Sequence, residues 1–307
     1  MHQGDILVGI AALLVLVVGP LLFGLRGRIS TGRTTVGAVQ EPAPTWDWRL
    51  AITSALLYAV AFNLIFFVQE LFLVLPKALT AGLRPILFHN NHTWAGGNPL
   101  ARLFQGTGAL AIFATGVICA LLLKHRPSRS PSLRLFLIWM AYNGFLQSLP
   151  QVVIGSIEPE NDVGMAMDYL HLGAAAKIIA AIAALVAIAV AALSLRGPLL
   201  GLAPNADDIA CSRARTTFMF RVATVPALAS IMLIIPFRVP RNWVEVAAVP
   251  VVVTVIGIAY IQAGAWAVQG VRASSAISAK SIAYACGALL ILLLIFQFVL
   301  RPGVHFY

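Results

Sequence analysis

Eight runs of about 20 mostly apolar residues, roughly 5–24, 54–75, 103–123, 135–155, 167–195, 217–237, 246–268 and 281–300, leave this chain few ways to fold. Wound as a helix at about 1.5 Å per residue, a run of that length matches the hydrocarbon thickness of a bilayer. Backbone amides in lipid must find partners inside the protein. Continuous apolar runs therefore predict helices, where a barrel would alternate apolar and polar residues. The predicted fold class is all-α: a polytopic transmembrane helix bundle of about eight spans with no soluble domain. A mean hydropathy of +0.90 and a charged fraction of 10% exclude an ordinary soluble protein. Residues 1–307 are expected to form one integral membrane domain, with an uncleaved anchor span at 5–24, a polar-site region at 54–195 and C-terminal spans at 217–300.

A net charge of +10 would suit nucleic acid, but the basic residues sit at the ends of the apolar runs and form no patch. No nucleic-acid partner is expected. With the N-terminus outside, the loops around 25–49, 124–134, 196–221 and 269–280 face the cytoplasm and hold 14 of the 21 Lys and Arg residues. The outward segments hold six: Lys77, Arg84, Arg102, Arg238, Arg241 and Arg301. Positive residues are retained on the cytoplasmic side, so the bias predicts N-out and C-out in a bacterial-type cytoplasmic (inner) membrane. Membrane lipids and partner membrane subunits are the expected partners. Cys119, Cys211 and Cys286 fall in or beside apolar segments, and no disulfide framework is expected.

The polar residues kept inside the apolar runs are the candidates for function. Asn63, Gln69 and Glu70 lie in the second run, which is predicted to end at Pro76. Lys177 lies about two turns beyond His171 in the fifth. A charge in hydrocarbon needs a partner or a water-filled cavity. Glu70 and Lys177 are predicted to pair across the second and fifth spans; should they not meet, His89 or His92 is the next partner for Glu70. Asn143, Gln147 and Gln151, at i, i+4 and i+8, form a stripe predicted to face the bundle, by interhelical hydrogen bonding or along a cavity. Asp162 lies in an acidic outward loop, and Asp168 and His171 stand at the mouth of the fifth span. His89 and His92, spaced i, i+3, would point the same way if their loop were helical, as candidate ligands for a divalent metal such as zinc. Gly106, Gly108 and Gly116 predict close helix packing.

The segment Phe66-Phe67-Val68-Gln69-Glu70-Leu71-Phe72-Leu73 resembles the active-site helix of the site-2-protease-like intramembrane metalloproteases. In that family the helix carries His-Glu-x-x-His, followed by a loop, a Gly-containing span and a later aspartate element. Gly82, Trp94 and Gly106-Thr107-Gly108 follow in a similar order, and Glu160-Asn161-Asp162-Val163-Gly164 resembles the aspartate element. The likeness covers residues 58–195 at most. Gln69 and Leu73 stand where the family has imidazoles, so the resemblance implies a degenerate, non-proteolytic relative.

The expected function is that of a noncatalytic integral membrane protein, a binding or assembly subunit of a larger membrane complex. Two alternatives belong to other classes. One is a diverged membrane metalloenzyme using Glu70 with His89, His92 and Asp162, which metal content would identify. The other is a transporter or proton-conducting protein using Glu70 and Lys177, which flux in liposomes would identify.

Overall fold

The structure, a computed structural model, describes residues 3–32, 46–125, 130–240, 243–271, 273 and 276–307. Arg33, Pro42, Pro44, Arg126, Arg129, Arg241 and Arg272, which carry part of the predicted linker and charge bias, lie outside the described residues. The described chain begins with α1 (Gln3–Leu13) and α2 (Gly19–Gly32), joined through a π-helical turn at Leu14–Val18. Helix therefore runs past the predicted loop start at residue 25. Next come α3 (Trp48–Ala78), a hairpin of β1 (Arg84–Leu87) and β2 (His92–Ala95), the short α4 (Leu100–Leu103), α5 (Gln105–His125) and α6 (Pro131–Ile157). The predicted fifth span is two helices, α7 (Asp162–Tyr169) and α8 (Ala174–Ser194), broken at His171, whose φ is 51°. After them follow α9 (Arg196–Leu200), α10 (Ser212–Met219), α11 (Val225–Arg238), α12 (Val249–Gly264), α13 (Ala279–Leu294) and β3 (Val304–His305).

Among the described residues, seven helical stretches are long and apolar enough to cross a membrane, which makes this a multi-pass α-helical membrane protein. The predicted fourth span, now α6, is not one of the seven, although its 27 residues are long enough. The physical reason is its position. It packs against α3, α5 and α8, and the run Ile138–Leu149 is buried along its whole length. A helix ringed by helices need not be apolar to suit lipid. By contrast, the first and last spans, Gly4–Ile29 and Ala279–Leu300, have only 11% of their most apolar stretch buried, against 67% for α3.

Proline places two of the interhelical bonds. Helix α3 does not end at Pro76, as the sequence predicted, but runs on to Ala78. A mid-helix proline has no N–H to offer the carbonyl four residues back. Here that carbonyl, Phe72 O, accepts the Thr107 hydroxyl of α5 at 2.6 Å. Likewise Pro226 cannot satisfy Val222 O, which accepts from Ser54 Oγ of α3 at 2.6 Å. Ser54 Oγ in turn accepts from Trp139 Nε1 of α6 at 3.1 Å. Buried aromatic tips are met in the same way, Tyr58 pairing with Thr254 at 2.8 Å and Tyr142 donating to Thr254 O at 2.7 Å.

The basic span ends have local work as well. Arg134 donates to Gly201 O at 3.1 Å, Arg196 to Gly264 O at 2.7 Å and Arg215 to Trp266 O at 3.0 Å. These are carbonyls that helix ends leave unbonded. At the opposite end of the bundle the hairpin pairs in the register Arg84↔Ala95 to Leu87↔His92, and β3 adds to the other edge of β1 with Leu87↔Val304. Val74, Leu87, Phe237, Phe296 and Leu300 bind this small sheet to α3, α11 and the π-helical turn Ile295–Leu300.

Candidate functional site

Asn63, Glu70 and Lys77 recur at i, i+7 and i+14 on α3, and all three are buried. Two helical turns cover about seven residues, so they form one stripe. The hairpin folds back over the outer part of that stripe because Gly96, with φ of 114°, lets the base of the hairpin close against the carbonyl of Gly82 where any Cβ would collide. This puts His92 directly on Glu70.

The geometry is a chain of four side chains. His92 Nδ1 lies 2.9 Å from Glu70 Oε2, and His92 Nε2 lies 2.9 Å from Gln105 Oε1. The same Gln105 oxygen accepts from Lys77 Nζ at 2.9 Å, and Lys77 also donates to Leu73 O at 2.7 Å. Trp94 completes the group, stacked on His92 with ring centroids 5.8 Å apart and lying 4.7 Å from Lys77 Nζ. The exposures of Glu70, Lys77, His92 and Gln105 are 5%, 0%, 8% and 2%. Such charges are tolerable out of water only when paired and hydrogen-bonded.

Asp162, half-buried at the start of α7, lies within electrostatic reach of this chain. Burial pushes its carboxyl above the usual carboxylate range; His92 and Lys77 pull it back and Glu70 pushes it further up. The group thus holds two bases that carry charge as cations and two carboxyls.

Hydrogen-bond arithmetic fixes the protons. An ammonium donates three bonds and accepts none, so Lys77 requires the oxygen of Gln105, not its nitrogen, to face the site. His92 Nε2 must then donate to that oxygen, while Nδ1 faces a carboxylate oxygen. Both contacts are satisfied together when both ring nitrogens carry hydrogen, or when Glu70 itself holds the second proton.

The predicted Glu70–Lys177 pair does not form. Lys177 stands in the first turn of α8, not deep in a span, because that helix starts at Ala174. It bonds Asp168 Oδ1, and Asp168 also faces Arg102 at 3.9 Å. His171 is exposed in the α7–α8 turn. None of these three residues shares a hydrogen bond or ion pair with the Glu70 chain. Glu70→Gln and Lys177→Met are therefore expected to lower detergent thermal stability additively, within about 0.5 kcal/mol. A coupling above about 1 kcal/mol in the double-mutant cycle would restore the predicted pair.

The amide stripe faces inward. Gln151 Nε2 donates to Gln69 Oε1 at 2.9 Å and to Gln147 O at 2.8 Å. Gln147 Nε2 donates to Asn143 Oδ1 and to Phe62 O, each at 3.2 Å. Asn63 and Asn143 each donate to the carbonyl four residues back on their own helix, Ala59 and Trp139. This ladder ties α3 to α6 beside the charged chain.

His89 and His92 do not share a helical face, since their segment is a β-hairpin with His89 buried in its turn. The neighbouring Asn90 donates to Arg238 O at 2.6 Å, anchoring that turn to α11. The residues present do not fit zinc. Both nitrogens of His92 are held by oxygens, and no group of three or more His, Cys, Asp or Glu among the described residues is arranged to hold a metal ion. Sequence reasoning missed Lys77, Gln105 and Trp94 as site members. The seven-residue spacing Asn63, Glu70, Lys77 was the available signal for the first; nothing local marks the other two. No protein-family model, curated protein or solved structure matches the chain.

Proposed function

We propose that this chain is a proton-handling membrane protein, of the transporter or proton-conducting class, in which Glu70 and His92 share the labile proton. The carrying observation is the His92 ring held at 2.9 Å on each side between a carboxylate and an amide oxygen inside a membrane bundle. Ionisable groups kept in such a place at a cost are typical of proton relays. With both nitrogens protonated the ring is a cation against the Glu70 carboxylate. Passing the Nδ1 proton to Glu70 neutralises both and keeps both bonds. Losing a proton to water is different, because whichever ring nitrogen is left bare turns its lone pair on an oxygen, the Glu70 carboxylate or the Gln105 amide, and that contact becomes repulsive. Proton release would thus loosen the hairpin, while Lys77 stays to balance the remaining carboxylate.

The half-buried Asp162 is the group through which the proton would reach the aqueous phase. The orientation that suits this is N-out and C-out in a bacterial-type inner membrane, which puts hairpin, α7 and β3 on the outward side. Proteoliposomes holding a pH-sensitive dye test the proposal. An imposed proton gradient should collapse faster than in protein-free vesicles, and Glu70→Gln should lower that rate at least ten-fold. Wild-type vesicles no leakier than empty ones, under a gradient of either sign, would remove the proposal.

A second reading, a binding or assembly subunit of a larger membrane complex, is supported by the first and last spans, which present long apolar faces outside the bundle. Lipid covers such faces in a monomer, and a neighbouring subunit covers them in a complex. Co-purification of a stoichiometric membrane partner in mild detergent distinguishes the two.

A further inference from the structure

We propose that β3 is a strap that holds the hairpin closed over Glu70. Strand pairing runs in an unbroken line across the sheet: Val304 opposes Leu87, and Leu87 opposes His92, whose ring contacts Glu70. The residue that closes the charged chain is therefore two strands away from the strap. A two-stranded hairpin is marginal alone, and a third strand is what gives such a sheet independent stability. Phe306 N adds a bond to Pro85 O at 3.2 Å.

The strap has a firm base and a loose end. Its base is Gln297, which donates to Pro236 O at 2.6 Å and Val239 O at 3.2 Å, together with Phe296 and Leu300 in the apolar cluster that includes Leu87. Beyond Gly303, Val304 is half-buried and His305 is exposed. Peeling β3 away thus sacrifices strand bonds and the packing of two half-buried side chains, Val304 and Phe306, against that cluster, but no fully buried side chain. Gly303 makes the turn between base and strap at φ of 93°, where a Cβ would lie 2.7 Å from the Phe88 ring and 3.1 Å from Ile86 Cγ2. A larger residue there would push the strap off β1. What opening achieves rests on the proton-handling proposal; that the strap holds the hairpin does not.

Hydrogen exchange followed by mass spectrometry, on the full chain in nanodiscs, tests the strap. The comparison is with a chain ending at Arg301 and with Gly303→Val, which keeps every residue of the strap. Amides of β1 and β2 should exchange at least ten-fold faster in both variants, with α3 and α6 protected as in the full chain. Unchanged hairpin protection in both variants overturns the proposal. So does loss of protection throughout α3 and α6 in both, which would make β3 part of the core. Proton movement by the same samples in liposomes is read separately: a hairpin that opens with no proton movement in any sample leaves the strap standing and removes the proton-handling function.

Discussion

Lys77→Met is expected to cost about 3–5 kcal/mol of stability, the largest loss of any single side chain at the site. Lys77 is fully buried, and its ammonium satisfies the Leu73 carbonyl, the Gln105 oxygen and the face of Trp94 at once. A methionine fills most of the volume, so the loss reports charge and bonding rather than a cavity. Removing the cation leaves the Glu70 carboxylate balanced by His92 alone, with Asp162 nearby. Adding Glu70→Gln should therefore recover part of the loss, the double variant being about 1–3 kcal/mol more stable than the two single losses added together. Thermal unfolding in one detergent, across the four proteins of the cycle, measures this. Additive losses would mean that Lys77 and Glu70 act independently, and that the chain through Gln105 and His92 transmits nothing between them.

What sequence could reveal here follows the physics of each signal. Helical spans are written in composition, because lipid demands long apolar runs, and all seven apolar crossings coincide with predicted spans. Helix α6 shows the limit of that rule. Its polar stripe of Asn143, Gln147 and Gln151 was legible as facing the bundle, but the apolar run around it did not reveal that the helix is buried on all sides over Ile138–Leu149. Glu70 and His92 were legible as candidates since both are expensive to bury. Their union was not, because it depends on a hairpin that folds residues 22 apart onto each other, and the turn glycines do not state which face closes. The Glu70–Lys177 expectation failed on a helix boundary: residues 171–173 break what looks like one apolar run, and a shift of a few residues moved Lys177 from the interior to a helix end. Gln105 is the subtler omission. An amide at the first position of a span reads as an interfacial residue, yet it is the oxygen on which Lys77 and His92 both converge.

Gly144→Val should be the most disruptive substitution away from the charges. At Gly144 a Cβ would lie 2.7 Å from Gly116 Cα and 2.8 Å from both Gly116 N and Ile112 O. Those are backbone atoms of α5, so no side chain can move aside and the helices themselves must part. Between helices in lipid, where apolar burial gives little net drive, close backbone contact is a main source of attraction. Overpacking of this kind costs about 1–3 kcal/mol, and more where backbone must shift. Gly116 faces the same crossing but a softer wall: a Cβ there would meet the Phe145 ring at 3.2 Å and Ala141 O at 3.3 Å. Replacing a mid-helix glycine by alanine also gains about 0.5–1 kcal/mol of backbone entropy. Gly116→Ala should consequently be near neutral, while Gly144→Ala is clearly destabilising and Gly144→Val worse. The effect should reach the charged site as well, since α5 carries Gln105 and α6 carries Gln151, which donates to Gln69. Driving the two helices apart strains both attachments of α3. The check is thermal unfolding of the three variants beside proton movement in liposomes. Equal stability of Gly144→Ala and Gly116→Ala would show that the crossing is looser than these distances require.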